Sequence, residues 1–242
     1  SSGSSALILA YAGCGIDENS IGIVPSITFA STANALRHLG AKVVFCDVDH
    51  ESGLIDLQSL EEALQSVRKT NNFKNGVIAP VSLAGRVAPL REIRKLADQF
   101  EMMVVEDASH SPLAWSDEGG VSIRSCSCEW TDFATLSFHP VKLIAAAEGG
   151  AIVGHDDEFM ARLRHLRSHA MVRQPGTPSD YRVDAVGYNY RLSDLHAALG
   201  QSQLARIDEK LARRRARARR SIPHHRRCRL VSRAGARGVE RF

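Results

Sequence analysis

The sequence runs to 242 residues, 44% of them hydrophobic, with a net charge of +4; that is enough for one large domain or two small ones around a substantial core. No apolar run approaches membrane-spanning length and no charged, then apolar, leader opens the sequence. The five scattered cysteines, Cys14, Cys46, Cys126, Cys128 and Cys228, form no CxxC pair, so neither a disulfide framework nor a zinc site is indicated and a cytoplasmic protein is expected. The charge is unevenly placed: residues 213–242 hold twelve Arg and one acid, Glu240, for +11, while the first 212 residues carry −7, so only the tail invites a nucleic-acid reading.

The first residues, Ser1-Ser2-Gly3-Ser4-Ser5, read as the N-terminus of a helix that turns apolar at Ala6. Such an end offers free N–H groups and a favourable dipole to an anion. Ile21 to Val24 is a strand ending at Pro25, followed by the loop Ser26-Ile27-Thr28-Phe29 and a helix from Ser31 to Leu39, closed by Gly40. Lys42 to Asp47 reads as a buried strand. Leu57, Leu60, Leu64 and Val67 recur at helical spacing, and Val77 to Val81 is the next strand. Pro89 opens a helix whose apolar face is Leu90, Ile93, Ala97 and Phe100. Met102 to Val105 is a strand that runs into Glu106-Asp107. A short apolar run, Phe133 to Leu136, leads into a segment with a single lysine among apolar residues, Lys142, and Ala151 to Val153 leads out. Phe159, Leu163 and Leu166 mark a further helix. A polar loop with Pro175, Gly176 and Pro178 follows, then Gly187-Tyr188-Asn189-Tyr190-Arg191, and a helix from about Ser193 to Leu211. From Arg213 onward little apolar periodicity is left, and that tail is expected to be disordered. Alternation of apolar strands with helices predicts an α/β fold around a mostly parallel sheet covered on both faces.

Two residues carry a chemical suggestion. Asp107 falls at the carboxyl end of a predicted parallel strand, the edge where open α/β sheets bind ligands. A helix N-cap for the segment at Ala108 is the plain alternative. Lys142 is either a loop residue on the surface or an amine whose partial desolvation lowers its pKa. An acid and a lysine together suit pyridoxal phosphate, which needs a lysine for its carbonyl and a carboxylate opposite its ring nitrogen.

Six segments, in order, resemble successive motifs of one family: Ser1 to Leu7, Val24 to Asn34, Glu106-Asp107-Ala108-Ser109-His110, Ser137-Phe138-His139-Pro140-Val141-Lys142, Glu148-Gly149-Gly150 and Gly187 to Arg191. They are similar to the DegT/DnrJ/StrS family of pyridoxal-phosphate-dependent nucleotide-sugar aminotransferases. The resemblance implies the large domain of the aspartate aminotransferase type I fold over residues 1–212, with an Arg-rich tail over 213–242. It implies that Lys142 bonds the cofactor and then moves the proton, and that Asp107 faces the ring nitrogen. Ser4, Ser5 and Ser137 would hold the phosphate. Phe29 would cover one ring face, Ser109 would lie near the other, and His110 would approach the ring hydroxyl. Asn189 would reach the phosphate of a neighbouring subunit, making a homodimer with shared active sites. Read singly, Phe29 is better taken as a core residue, His110 as a surface-loop residue and Asn189 as a turn residue; only together do they speak for the site.

The implied substrates are a keto-sugar nucleotide and an amino acid donor such as glutamate, with no membrane or nucleic-acid partner. Related dehydratases carry histidine at the lysine position, so Lys142 argues against that class. The family's segment before the Ser-Gly motif and its small C-terminal domain are expected to be missing here. Ala145 and Ala146 stand where threonines are usual. An impaired fragment is therefore one alternative, and nucleic-acid binding through the tail another.

Overall fold

A computed structural model describes residues 1–70, 73–173 and 180–221. In chain order it holds α1 (Gly3–Gly13), β1 (Ser20–Pro25), α2 (Ala30–His38), β2 (Lys42–Cys46), α3 (Leu57–Thr70), β3 (Asn75–Ile78), α4 (Leu90–Gln99) and β4 (Met103–Asp107). There follow β5 (Trp115–Glu118), β6 (Val121–Arg124), β7 (Phe133–Ser137), β8 (Gly150–Val153), α5 (Asp157–Leu166), β9 (Met171–Arg173), β10 (Tyr181–Val183), α6 (Asp194–Leu204) and α7 (Ile207–Ser221). The loop residues Pro175, Gly176 and Pro178, and the tail from 222 with Cys228, lie outside the described residues.

Six strands form one sheet in the order β2-β1-β3-β4-β7-β8. All neighbours run parallel except β8, which pairs antiparallel with β7. The parallel run places the carboxyl ends of β1, β3, β4 and β7 along one edge, and Asp107 ends β4 there. Helices cover both faces. Leu60 and Leu64 of α3 and Ile93 and Ala97 of α4 pack with Ile21, Ile23, Ile78 and Val104 on one side. On the other, α1, α2 and α5 bring Leu7, Tyr11, Leu36 and Leu163 against Val24, Val77, Val105 and Phe133. Alternate residues of one strand therefore feed opposite cores, which is why these strands are apolar throughout. Helix α1 is apolar nearly all round because it lies inside, in contact with α2, α5, β4, β7 and β8.

The structure departs from the sequence reading in four places. β2 is the edge of the sheet rather than a buried strand: Val43 and Val44 are half-buried and Phe45 is 59% exposed. The hairpin β5–β6 was not foreseen, although Gly119-Gly120 between two short strands marks it, both residues having φ above zero at +62° and +84°. The single helix read from Ser193 to Leu211 is two helices, α6 and α7, separated at Ala205 and Arg206. Finally, α7 runs on through Arg213–Arg220, past the expected end of order. Arginine and alanine are strong helix formers and sustain it without an apolar face, with Arg213 reaching Glu209 one turn back at 2.7 Å. Among the described residues, no helix is long and apolar enough to cross a membrane.

Candidate active site

Helix α1 begins where the sheet edge ends. Ser2 caps it, its hydroxyl accepting the Ser5 N–H at 3.1 Å. That leaves the N–H groups of Gly3 and Ser4 without an intrahelical partner, at the positive end of the helix dipole. Gly3 is pressed against β7: a Cβ there would lie 2.7 Å from the Ser137 Cβ. Gly150, at the start of β8, is closed in by the Ser2 carbonyl in the same way. Glycine at these two points lets the helix start touch the strand end, and Ser137 thus stands beside the free N–H groups.

The Ser4 hydroxyl is exposed and shares a 2.6 Å hydrogen bond with Ser31 on α2. Ser5 differs from Ser4: it is buried, and its hydroxyl bonds those of Ser1 and Ser2, both at 2.9 Å. Of the three serines expected at an anion, Ser4 and Ser137 offer side chains at the surface of this cradle, whereas the Ser5 hydroxyl is taken up by its own helix start.

Asp107 is 4% exposed. Its Oδ2 accepts the Thr32 hydroxyl at 2.8 Å and its Oδ1 accepts the Ser109 N–H at 3.1 Å. No cation lies within ion-pair distance of it among the described residues. A carboxylate so buried calls for positive charge or further donors, since burial of an unpaired charge is costly. The N-cap expected as its plain alternative is not seen, because no helix follows it.

Lys142 sits in the loop joining β7 to β8. Its N–H bonds the His139 carbonyl at 2.9 Å, the Ala146 N–H bonds the Phe138 carbonyl and the Phe138 N–H bonds the Gly149 carbonyl. Buried Leu143 and Ala146 pin the loop, while Lys142 is half-buried. Burial lowers its amine below the ordinary lysine value, with the nearby Asp107 charge working the other way. His110 is open to solvent on one side. Crowding of its ring lowers its pKa, repulsion from Lys142 adds to this and Asp107 opposes it. Lys142 and His110 thus both lie near enough to Asp107 to feel its charge, although Lys142 stands thirty-five positions after it in the chain.

Phe29 is 69% exposed at the start of α2, which removes the core reading. Asn189 is exposed in a segment held near the α1 start by the Ser1 amino group, which donates to the Tyr190 carbonyl at 2.8 Å. Its own backbone bridges Ser168.

Sequence reasoning passed over three residues. Ser31 and Thr32 lie within the quoted motif, two and three positions after Phe29 in the first turn of α2. Glu106 lies beside Asp107 but points to the opposite face. It is fully buried and accepts the Ser82 and Ser125 hydroxyls and the Cys126 N–H, the last two at 2.7 and 2.9 Å. Burial outweighs these bonds and raises its carboxyl above the ordinary 4.5. A raised folded-state value means stability that is fullest below the unfolded value and is lost as pH rises through the folded one. Glu106→Ala is therefore expected to lower the unfolding free energy by about 3 kcal/mol at acidic pH, through orphaned donors and a cavity. The loss should shrink as pH climbs past 4.5. Urea unfolding at several pH values checks this; a loss below about 1 kcal/mol throughout would show the network to be dispensable.

The residues present fit pyridoxal phosphate at its polar ends: a cradle of free N–H groups for the phosphate, a buried carboxylate without a paired cation for the ring nitrogen, and a half-buried amine for the carbonyl.

Comparison with known proteins agrees with this chemistry. The profile of the DegT/DnrJ/EryC1/StrS aminotransferase family matches residues 1–223. The UDP-4-amino-4,6-dideoxy-N-acetyl-β-L-altrosamine transaminase of Campylobacter jejuni subsp. jejuni serotype O:23/36 (strain 81-176) is 39% identical over 213 residues, 88% of this chain and 53% of the relative. GDP-perosamine synthase of Caulobacter vibrioides (strain ATCC 19089 / CIP 103742 / CB 15) is 34% identical over 212 residues, again 88% of this chain and 53% of the relative. The solved structure of a Helicobacter pylori aminotransferase involved in the biosynthesis of pseudoaminic acid aligns with a TM-score of 0.74 at 28% identity, over 92% of this chain and 56% of that one. These alignments bear out the α/β class and the expected fold family. The chain spans about half the length of the curated relatives it matches.

Proposed function

The chain belongs to the DegT/DnrJ/EryC1/StrS aminotransferase family, whose cofactor is pyridoxal phosphate, and from that premise we propose that it transfers an amino group from an amino acid, glutamate, to a keto-sugar nucleotide. The sugar we propose is a UDP-4-keto-6-deoxy amino sugar, on the strength of the Campylobacter relative. The observation that carries the reading is the buried Asp107 carboxylate at the carboxyl end of β4, without a paired cation among the described residues.

When bound, pyridoxal phosphate supplies a carbonyl that takes up the amino group and a ring that absorbs the electrons left by a departing proton. The chain's own residues divide the rest. The Gly3 and Ser4 N–H groups, with the Ser4 and Ser137 hydroxyls, would hold the phosphate, and Ser5 builds the helix start that presents them. Asp107 would keep a proton on the ring nitrogen, and the Thr32 and Ser109 donors fix the direction in which its charge points. Exposed Phe29 would cover the cofactor ring from one side and Ser109 would flank it from the other, limiting its movement and keeping water away. His110 would donate towards the ring hydroxyl. Lys142 would hold the cofactor and serve as the general base and acid that moves the proton; its lowered amine favours the neutral form this needs.

The working unit we propose is a cytoplasmic homodimer in which Asn189 reaches the neighbouring subunit's phosphate. Supporting this, Asn189 faces outward and α6 leaves Leu195 84% exposed, with Leu199 and Leu204 beside it. The test of function is a coupled assay with pyridoxal phosphate, glutamate and the UDP-keto-sugar. Keto acid and amino sugar should appear in equal amounts. Cofactor uptake with glutamate turned over but no amino sugar formed would overturn the choice of sugar; no uptake at all would overturn the cofactor site.

A further inference from the structure

Thr32 is fully buried, and its hydroxyl reaches Asp107 across a sequence separation of 75 residues. A threonine hydroxyl has a single proton. That proton is committed to the acceptor-only carboxylate, so in the 2.8 Å contact between the Thr28 and Thr32 hydroxyls the donor is Thr28. The direction of the chain is thereby set, from Thr28 to Thr32 to Asp107 Oδ2, the other acceptor open to the Thr28 proton, the Phe29 carbonyl, lying farther off at 3.4 Å. Behind it, the fully buried Tyr11 donates its hydroxyl to the Thr32 carbonyl at 3.3 Å, which fixes the first turn of α2 from the core side. Thr28 itself precedes Phe29, on the loop at the mouth of the site.

We propose that Thr32 is a positioning residue: it aims the Asp107 carboxylate and, through Thr28, ties that carboxylate to the loop that carries Phe29. The acid beneath the ring nitrogen and the aromatic cover over the ring are then one hydrogen-bonded unit. Loosening the loop loosens the acid, and the reverse. The proposal rests on the reading of Asp107 as the partner of the cofactor's ring nitrogen.

Three variants of the full chain separate a role of the hydroxyl from one of bulk. Thr32→Val keeps the shape and removes the donor, Thr32→Ser keeps the donor and removes a methyl, and Thr28→Val removes only the first link on a half-exposed residue. Two quantities are read: the dissociation constant for pyridoxal phosphate, and amide hydrogen exchange of residues 26–31 in cofactor-free protein. Thr32→Val should weaken binding about fivefold, as expected when part of the worth of one hydrogen bond to the carboxylate is felt at the cofactor, and speed exchange in that loop. Thr32→Ser should stay within about twofold of wild type in both, and Thr28→Val should weaken binding about twofold and speed exchange. If Thr32→Val fails to fold, Thr28→Val against Thr32→Ser decides. Thr32→Val or Thr28→Val matching wild type in both readings, or Thr32→Ser losing as much as Thr32→Val, overturns the proposal while leaving the cofactor site standing. Wild-type protein that takes up no pyridoxal phosphate fails the reading of Asp107 itself, and the proposal with it.

Discussion

Replacing Lys142 with alanine is expected to cut amino transfer by at least about 10⁴-fold, because the covalent hold on the cofactor and the proton transfer between carbons are lost together. The fold should survive. Lys142 is half-buried, its loop is pinned by Leu143 and Ala146 rather than by the amine, and no hydrogen bond of the side chain is broken among the described residues. Turnover measured beside urea unfolding distinguishes the two effects; unchanged turnover in a correctly folded variant would remove Lys142 from the chemistry. The same amine predicts a pH dependence. The neutral form attacks, and burial lowers the amine from the ordinary 10.5, so capture of pyridoxal phosphate by the wild type should speed up as pH rises, with a midpoint below that value. A midpoint at or above it would mean that the amine is not desolvated.

Asp107→Asn is expected to cost about 10³-fold in turnover and no more than about tenfold in cofactor affinity. The amide oxygen can still accept the Ser109 N–H, and the NH2 can donate to the Thr32 oxygen once that hydroxyl turns away, so the shape of the side chain is kept while the negative charge is lost. Its negative charge matters most when the ring nitrogen must stay protonated to draw electrons inward, a demand greatest at the transition state. Cofactor titration and single-turnover rates with glutamate measure the two quantities separately. Equal losses in both would mean that Asp107 only helps to bind, and full turnover would mean that the ring nitrogen faces another group.

The sheet was legible because its strands are apolar runs of β-branched residues between helical repeats, and the same pattern placed Asp107 at a strand's carboxyl end. Neighbours decided what the sequence left open. Nothing in Lys42 to Asp47 says that no strand lies beyond it, so the edge position of β2 follows only from the sheet order. Helical periodicity continues from Leu204 to Ile207, and the break at Ala205 and Arg206 carries no glycine or proline to announce it. At the site, Lys142 and Asp107 stood out by chemistry. Thr32 did not, because a threonine in the first turn of a helix reads as an ordinary capping residue, and its partner lies 75 positions away. Ser5 was grouped with Ser4 by sequence, yet the helix turns its hydroxyl back on Ser1 and Ser2.

The claim on which the rest depends is that Lys142 takes the cofactor at a site whose other end is Asp107. Saturating the full chain with pyridoxal phosphate, reducing it with borohydride and mapping the peptides tests it directly. One stable pyridoxyl group is expected, on Lys142, and none in Lys142→Ala. A pyridoxyl group on any other lysine as the main product, or none at saturation, would contradict it.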